Sequence, residues 1–476
     1  MPRSVRVHPN HRVAVALALE RNGFLTQGDL ARHLEMALST VNNFCRCVNV
    51  SVAKFEDICE ALGLDARSLL QPTVSVSKSV TTAPTQVLQS EETAIDRFFA
   101  YDRAWVGRAG LLQSLAEKLQ GTDRLLLITG IAGVGKTALA ERLVIELQAN
   151  QRLIRSNFDN QEQAVDFGSV AARLLEKCGQ PITAHERQNP QQLGWRLFKQ
   201  LQEQPYLLLI DSLEELLIGG DRSESEFQDQ GYLTFFQQLL AAEEFQSRIV
   251  ITSQELPVRL LELGTRYQKF WHCQPLTGLT TTEQQTLFER MGFDMQPASS
   301  DRPYLMRIGQ AYEGHPLALR VIGGEIGSRP FFGSVVAYWN RYGNEIEQVE
   351  QAIAAATAGA ITGADDKWAL DRFTRTLRRN VRKRLEQSFQ RLQQDAYNAY
   401  VLLCEASVYR CPVPEDWWLS HLEYLDLEAD AEIAAMDALR DRYLVDEVLE
   451  NNQYLLKQHN LIRSLALEHL DKLDDN

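Results

Sequence analysis

The sequence predicts a multidomain protein in which a parallel α/β domain lies between an all-α N-terminal part and a mainly helical C-terminal part. Three apolar segments, residues 124–129, 206–210 and 248–252, alternate with helical segments, the pattern typical of a parallel sheet with helical crossovers. Beyond about residue 280 helical periodicity dominates, apart from a β-like piece at residues 454–456. The Ala/Gly-rich stretch at residues 352–366 is predicted to be a loop or an inserted linker. A chain of 476 residues is too long for one compact core, so roughly two to four domains are expected.

Charge and composition limit the class of protein. The 49 Lys and Arg against 63 Asp and Glu give a net charge of −14, which disfavours sequence-independent binding to nucleic acid. No run of about 18 apolar residues occurs, and the N-terminal residues lack the apolar core of a signal peptide, so we expect a cytoplasmic protein without membrane contact. The seven cysteines form no CxxC pair. A zinc site from Cys45, Cys47 and Cys59 is an alternative, but small apolar residues are the simpler interpretation.

The N-terminal part, residues 1–70, has a helix-turn-helix pattern. In the stretch TQGDLARHLEMALSTVNNFC, Leu30, Leu34, Val41 and Phe44 recur at helical spacing, and Ser39 can begin the second helix. Residues 71–94 are rich in Ser, Thr and Pro and are predicted to be a linker. About 20 flexible residues span roughly 25 Å on average, so the head is expected to move relative to the rest of the chain.

A phosphate-binding loop is the strongest motif. Residues 130–137, GIAGVGKT, fit the pattern GxxxxGK[ST], and the motif follows an apolar strand and begins an amphipathic helix. In such a loop the backbone N–H groups surround the phosphates of ATP or ADP, Lys136 reaches the β- and γ-phosphate oxygens, and Thr137 binds Mg²⁺. The other residues of the predicted site are Gly130, Gly133, Val134, Gly135 and Ala138.

Polar residues end the two apolar strands that follow. Asp211 closes the strand in PYLLLIDSLEELL, and an acid at this place is the expected partner of Mg²⁺, although a helix-capping aspartate is an alternative. Glu214 and Glu215 could activate water or could be exposed helix residues. Thr252, Ser253 and Gln254 end the third strand and would face the γ-phosphate, unless they only terminate the strand.

The order of further motifs indicates a family. Trp105-Val106-Gly107-Arg108 precedes the first strand, GHPLAL spans residues 314–319, and LLKQHNLIRSLALEHL contains His459. Together with the phosphate loop and the Asp211 strand, they resemble the motifs of the NB-ARC group of STAND-class P-loop NTPases. The resemblance covers roughly residues 95–476, and the N-terminal part resembles the helix-turn-helix heads of bacterial members.

The resemblance implies an architecture and a switch. It implies an NTPase domain at residues 95–276, a helical domain and linker at 277–370, and a winged-helix domain at 371–476. Val106 and Arg108 would lie beside the nucleotide, Pro316 would pack on the adenine, and His459 would reach the ADP β-phosphate. ADP would then close the domains on each other, and exchange for ATP would open them. Considered alone, Pro316 could merely begin a helix and His459 could be a core histidine.

Three positions depart from the family pattern. Ser212 stands where a second acid often follows the strand aspartate, Gln254 stands near the usual sensor arginine, and Asn460 replaces the aspartate beside the histidine. Loss of an arginine and two acids near the phosphates predicts a slow ATPase, and Lys136, Asp211 and Glu214 are the candidate catalytic residues.

Two surfaces could contact partners. Ser39, Thr40, Asn42, Asn43 and Arg46 are expected on the exposed side of the second head helix, where Asn can read adenine and Arg can read guanine or phosphate. Helix-turn-helix folds also serve as protein adaptors. Arg375, Arg378, Arg379 and Arg382 share one helical face, which is either solvated and paired with the acidic body or a contact for DNA or another protomer.

The sequence therefore favours an ATP/ADP-controlled switch that binds DNA or regulates transcription. The alternative is a signalling or defence scaffold that oligomerises on ATP binding, with the head as a protein adaptor. A housekeeping ATPase is a third interpretation, which the three departures disfavour. Family members usually carry sensor repeats after the winged helix, so we expect the sensor here to be a separate protein, the body itself, or missing.

Overall fold

The chain forms two compact units in the computed structural model. One unit comprises residues 1–91, 279–447 and 454–476, and the other comprises residues 92–278 and 448–453. The structure describes residues 4–8, 11–22, 24, 27–47, 50–70, 105–147, 152–158, 166–218, 225–358, 366–450 and 453–474. The predicted linker, residues 71–94, lies outside the described residues. No helix in the described ranges is long and apolar enough to span a bilayer.

The head, which we define as residues 4–70, is built from short helices and one small antiparallel sheet. Its elements are β1 (Ser4–Val5), α1 (Arg12–Arg21), α2 (Gln27–His33), α3 (Leu38–Cys45), β2 (Val50–Ser51), α4 (Val52–Leu62) and α5 (Ala66–Leu69). Leu30, Val41 and Phe44 are buried between these helices, as the periodicity predicts, and Leu34 is half-buried. Phe55 of α4 is buried with them. In the turn between α2 and α3, Glu35 adopts φ 50°, in the left-handed region that glycine usually fills.

The unit that carries the phosphate loop alternates helices and strands. Its helices are α6 (Ala109–Gln120), α7 (Lys136–Glu146), α8 (Phe167–Lys177), α9 (Pro190–Glu203), α10 (Gly231–Ala241) and α11 (Val258–Arg266). Its strands are β3 (Leu125–Thr129), β4 (Leu153–Asn157), β5 (Leu207–Asp211), β6 (Leu217–Ile218), β7 (Glu226–Phe227), β8 (Arg248–Ser253) and β9 (Trp271–Pro275). Short 3₁₀ helices lie at Glu186–Gln188 and Leu213–Leu216.

A five-stranded parallel sheet with the order β4-β5-β8-β3-β9 forms the centre of this unit. The predicted strands β3, β5 and β8 occupy its middle, where both faces are covered, and this explains their continuous apolar runs. The sequence did not predict β4 and β9, which are the edge strands and carry polar, half-buried residues. In parallel register Thr129 lies beside Ser253, so the carboxyl ends of the central strands meet at one edge.

The segment after the sheet is helical. It contains α12 (Thr281–Arg290), α13 (Arg302–Ala311), α14 (Pro316–Gly327), α15 (Val335–Ala358) and α16 (Asp366–Asp395). Residues 352–366 were expected to form a loop, and for residues 352–358 this expectation is wrong, because α15 continues to Ala358. That part contains five alanines, a favourable helix former, and no glycine before Gly359. Residues 359–365 lie outside the described residues.

The C-terminal segment combines helices with a two-stranded sheet. Its elements are α17 (Tyr397–Glu405), α18 (Glu415–Leu419), α19 (Ala429–Asp441), β10 (Asp446–Glu450), β11 (Gln453–Lys457) and α20 (Asn460–Asp474), with 3₁₀ helices at Ala406–Val408 and Ser420–Leu425. Strand β11 contains the predicted β-like piece. A further antiparallel bridge joins Val413 to Leu456.

A buried ionic cluster joins α14, α15 and α16. Glu325 accepts hydrogen bonds from Arg384 and Ser388, and Arg391 lies 2.7 Å from the same carboxylate. Burial alone would raise the pKa of Glu325, but the two arginines hold that pKa below its ordinary value. Because Arg384 is also fully buried, each charge depends on the other for stabilisation.

The arginine face of α16 is mostly exposed, although Arg378 is half-buried. Arg375, Arg379 and Arg382 are exposed, and Arg382 pairs with Glu468 at 2.6 Å. An exposed pair of this kind contributes little to stability, and it supports the interpretation of a solvated face paired with acids.

Glu325→Gln should destabilise the unit that contains it by about 3–5 kcal/mol, because it leaves buried Arg384 without its main counter-charge. Urea unfolding at pH 7 would measure the loss. The contribution of Glu325 is present above the ordinary carboxyl pKa and disappears as pH falls through the lowered folded-state pKa. Glu468→Gln, which breaks the exposed pair with Arg382, is the matched control and should cost under about 1 kcal/mol. Equal losses in the two variants would contradict this account.

Candidate nucleotide-binding site

The predicted phosphate loop lies between β3 and α7. Gly133 and Gly135 have φ values of 78° and 95°, which side chains other than glycine rarely adopt. Lys136 is the first residue of α7, and its ammonium donates to the carbonyls of Gly130 at 2.8 Å and Ile131 at 3.1 Å. The lysine therefore lies within the loop, and the N-terminal N–H groups of α7 point to the same place, an arrangement suited to phosphate.

Arg108 connects the loop to the rest of its unit. Its guanidinium donates from Nη2 to the carbonyls of Val134 and Thr277, at 2.9 Å in each case. Val106, two residues earlier, is buried. The segment Trp105-Val106-Gly107-Arg108 thus contacts the phosphate loop through Arg108, and contact of Val106 and Arg108 with nucleotide stays a prediction.

Asp211 lies at the end of β5 and joins two other predicted residues. Its carboxylate is 2% exposed, and Oδ1 accepts a hydrogen bond from Thr137 Oγ1 at 2.9 Å. The hydroxyl of Thr252, at the end of β8, donates to the same oxygen. In turn the backbone N–H of Ser212 donates to Thr252 Oγ1 at 3.1 Å. Three elements that are distant in sequence therefore meet at one carboxylate.

The donor set beside the loop fits magnesium. A hydroxyl and a carboxylate oxygen are the hard ligands that Mg²⁺ prefers, and here Thr137 and Asp211 present them 2.9 Å apart. These two residues would hold the ion. Elsewhere in the described part of the chain, no group of three or more His, Cys, Asp or Glu gathers as a metal site.

Sequence reasoning missed an ion pair, one partner of which lies near Asp211. Arg155, on β4, pairs with Glu141 on α7, and its Nη2 also lies 3.8 Å from Asp211 Oδ2. Thr137 and Glu141 are four residues apart and share one face of α7. Arg155 went unnoticed because its strand was not predicted: the stretch LIRSN contains only two apolar residues, so no local signal marked it. The guanidinium adds a positive charge beside the candidate metal ligands.

Glu214 contacts the end of the third central strand. Its Oε2 accepts a hydrogen bond from the backbone N–H of Gln254 at 3.0 Å. Thus Glu214 is connected to the strand end that was predicted to face the γ-phosphate. A role for Glu214 in activating water stays a prediction. Ala138 lies in the first turn of α7, after Thr137.

Pro316 and His459 belong to the other unit. Pro316 is the first residue of α14, and the ring of the preceding His315 accepts a hydrogen bond from the N–H of Ala318 at 3.3 Å. His459 precedes α20, and its Nδ1 accepts from the N–H of Leu461 at 3.2 Å. Both residues therefore have a local role at a helix N-terminus, and their contacts with nucleotide stay predictions.

One prediction about the head is wrong. Ser39, Thr40 and Asn42 were expected on an exposed helix face, but each is only 4% exposed. Their side chains contact residues of the segment 279–447, in the same unit. A polar helix face was interpreted as a solvent-facing one, whereas here it packs on another polar surface.

Gly135→Ala should weaken nucleotide binding at least tenfold. The position has φ 95°, and an added Cβ would lie 3.1 Å from Arg108 Nη1, so the loop and its arginine cannot both keep their places. Titration with a fluorescent ADP would measure the loss. The matched control is Gly110→Ala in α6, where an added Cβ meets nothing within 4 Å. Wild-type affinity in Gly135→Ala would refute this account of the loop.

Comparison with known proteins agrees with a nucleotide-binding site at the phosphate loop. Residues 95–277 match the family model nSTAND1, described as Novel STAND NTPase 1. A curated relative, the uncharacterized WD repeat-containing protein alr2800 of Nostoc sp., is 25% identical over 299 residues. That match covers 60% of this chain and 23% of the relative, so the chain spans about a quarter of the relative's length.

Solved structures also match the chain, but at lower sequence identity. Cdc6p from Pyrobaculum aerophilum is 14% identical with a TM-score of 0.34, covering 78% of this chain and 98% of that chain. The Aeropyrum pernix Orc1 protein in complex with DNA is 15% identical with a TM-score of 0.33, covering 80% and 98%. At these TM-scores the likeness assigns neither fold nor function. The family match, by contrast, supports a nucleotide-binding P-loop NTPase of the STAND class in residues 95–277.

Proposed function

We propose that this protein is an ATP/ADP-controlled switch of the NB-ARC type, with an N-terminal helix-turn-helix head that binds DNA and regulates transcription. The observation that carries the nucleotide part is the meeting of Thr137, Asp211 and Thr252 beside Lys136 in a P-loop. The STAND family match to residues 95–277 supports the same class. In the head, Glu35 has a left-handed φ in the turn that joins α2 to α3. This turn supports the helix-turn-helix interpretation.

The residues of the site suggest how nucleotide is held. The N–H groups of the loop and the ammonium of Lys136 bind the phosphates, and Arg108 holds the loop through the carbonyl of Val134. Bound Mg²⁺ would neutralise phosphate charge. Thr137 and Asp211, whose oxygens lie 2.9 Å apart, would hold that ion, and Arg155 lies near the second oxygen of Asp211.

A connection runs from the candidate metal ligands to the end of β8. Thr252 donates to Asp211, and two residues later the N–H of Gln254 donates to Glu214. A change in the orientation of Asp211 would therefore alter the hydrogen bonding of the strand end that is expected to face the γ-phosphate. This connection supports a device that distinguishes ATP from ADP.

Several features favour a switch over an efficient enzyme. Gln254 offers no positive charge at the strand end, and Ser212 and Asn460 replace acids of the family pattern. The carboxylate of Glu214, the candidate water activator, already accepts a backbone hydrogen bond. Slow hydrolysis suits a switch, because each nucleotide state must last long enough to be read.

Turnover of ATP should stay below about 1 s⁻¹, which is low for an enzyme, while ADP binds tightly. Steady-state phosphate release and calorimetric titration with ADP would measure the two quantities. Lys136→Ala removes the charge that balances the phosphates and should abolish both. Turnover above this rate, or tight ADP binding by Lys136→Ala, would show that the site works differently.

His459→Ala should speed the release of ADP several-fold if this residue reaches the β-phosphate. The side chain also accepts a hydrogen bond from the N–H of Leu461 and so caps the start of α20. The effect of losing this cap has to be separated from the effect of losing the nucleotide contact. His459→Asn keeps a capping oxygen but lacks the imidazole, and it should release ADP as fast as His459→Ala. Stopped-flow displacement of fluorescent ADP gives the rates. If only the alanine variant is faster, the histidine acts as a cap alone.

The alternative is a signalling or defence scaffold with the head as a protein adaptor. A specific observation favours it: Val408, Trp417 and Tyr424 of the C-terminal segment are large, apolar and at least half exposed. Exposed aromatic residues close in sequence are typical of protein–protein contacts. Under this alternative, light scattering would detect a discrete oligomer with a slowly hydrolysed ATP analogue, and DNA would be retained in neither nucleotide state.

A further inference from the structure

The polar face of α3 donates hydrogen bonds to the acidic end of α19. Ser39 Oγ and Thr40 Oγ1 donate to Asp441 Oδ1 at 2.7 and 2.9 Å. Lys54, at the start of α4, lies 3.0 Å from Asp437 Oδ2 and 3.4 Å from Asp441 Oδ2. Two carboxylates one helical turn apart on α19 therefore bind three side chains of the head.

A backbone carbonyl extends the same contact. Asn42 Nδ2 donates to the carbonyl of Arg290 at 2.7 Å, and Arg46 Nη1 donates to it at 2.8 Å. Arg290 is the last residue of α12, and carbonyls at a helix C-terminus carry partial negative charge. Five head side chains thus act as donors here, and their partners on the facing surface are carboxylate and carbonyl oxygens.

Leu38 fixes how closely the two surfaces approach. It is buried, and a Cβ added at Gly292 or Gly333 would lie 3.3 Å from its side chain. At Gly327 an added Cβ would lie 3.5 Å from Leu38 Cβ. Glycines at these three positions allow the first turn of α3 to sit against the backbone of the segment 279–447. The contact is therefore close-packed as well as polar.

The charged groups at this contact shift the pKa values of one another. Burial raises the pKa of Asp437, and neighbouring Asp441 raises it further. Burial alone would lower the pKa of Lys54, but the two aspartates hold that pKa above its ordinary value. The pair of acids therefore depends on the cation that the head supplies.

The donor side of this contact has the chemistry of a DNA-reading surface. Hydroxyl, amide, guanidinium and ammonium groups are the side chains that contact phosphates and base edges in protein–DNA complexes. The facing surface presents anionic and carbonyl oxygens as acceptors, and a DNA duplex presents the same two kinds of oxygen. DNA, a polyanion, and a protein are the two candidate classes of partner for this face. Because the five head side chains all act as donors in this contact, its chemistry favours the polyanion.

We propose that Asp437, Asp441 and the Arg290 carbonyl form a docking site that takes the place of duplex DNA on the α3 face of the head, so that docking and DNA binding exclude each other. This proposal rests on the proposed DNA-binding role of the head. Ser39, Thr40 and Asn42 are nearly inaccessible while docked, and a recognition helix must insert into the major groove to reach bases. Binding of DNA therefore requires the head to leave the acids.

A reversible disulfide tests the exclusion in the full-length protein. In Leu38→Cys/Gly327→Cys the two Cβ atoms would be about 3.5 Å apart, within the range that a disulfide requires. Cys411→Ser in the same background removes the exposed native thiol. The probe is a fluorescent pool of random 30-base-pair duplexes at physiological salt. The oxidised protein should bind at least tenfold more weakly than the same protein after reduction, and equal binding before and after reduction would overturn the exclusion.

A second pair of variants tests the acids themselves. Asp437→Asn/Asp441→Asn should raise retention of the duplex pool at least tenfold over wild type. The control Glu428→Gln/Asp430→Asn removes two acids from exposed positions at the start of the same helix and should change retention little. An equal gain in the control would mean that lower net negative charge, and not release of the head, causes the effect.

Labelling of a cysteine at position 38 separates the outcomes. In Leu38→Cys, a thiol reagent should react faster when the aspartate substitutions are added, because the head leaves its site. Faster labelling without duplex retention would mean that the docked face awaits a protein and would overturn the proposal. Unchanged labelling would also overturn it, since the acids would then not hold the head. ADP binding is measured on the same samples and tests the nucleotide switch by itself. A failure of the proposed switch can therefore be distinguished from a failure of the docking proposal.

Discussion

The carboxylate of Asp211 is the constraint on which the candidate site depends. It lies at the end of a strand buried between two others, so its position follows from the sheet and not from a flexible loop. Thr137 and Thr252 donate to one of its oxygens, and Arg155 lies near the other. Because buried polar groups require partners, this one carboxylate sets the orientation of the first turn of α7, the end of β8 and the arginine of β4. The phosphate loop is thereby joined to the sheet that would report what it binds.

The requirement that buried polar groups have partners also applies to the head. Ser39, Thr40 and Asn42 are polar, buried and paired, but their partners are oxygens of the same unit. Polar side chains that could meet nucleic acid are thus satisfied by carboxylates and a helix-end carbonyl. In both places a pattern of donors and acceptors determines the contact, while apolar packing, such as that of Leu38 against glycine backbone, sets the distance.

Prediction from sequence succeeded where a signal is local and failed where it is not. The central strands β3, β5 and β8 were predicted because both of their faces are buried and their apolar runs are continuous. The edge strands β4 and β9 mix polar and half-buried residues, and no local pattern marks them. The alanine-rich stretch 352–358 was interpreted as a loop because of the glycines that follow, although alanine itself favours the helix that forms.

By itself the sequence determined the phosphate loop, the acid at the end of β5 and the parallel α/β class, because each depends on residues that are neighbours in the chain. Only the tertiary structure decided that Arg155 lies near Asp211 and pairs with Glu141, that Glu214 contacts the end of β8, and that the α3 face is covered. These contacts join residues separated by many positions, up to 402 between Ser39 and Asp441. A polar helix face has the same composition whether water or a carboxylate satisfies it, so folding and not local sequence chooses between them.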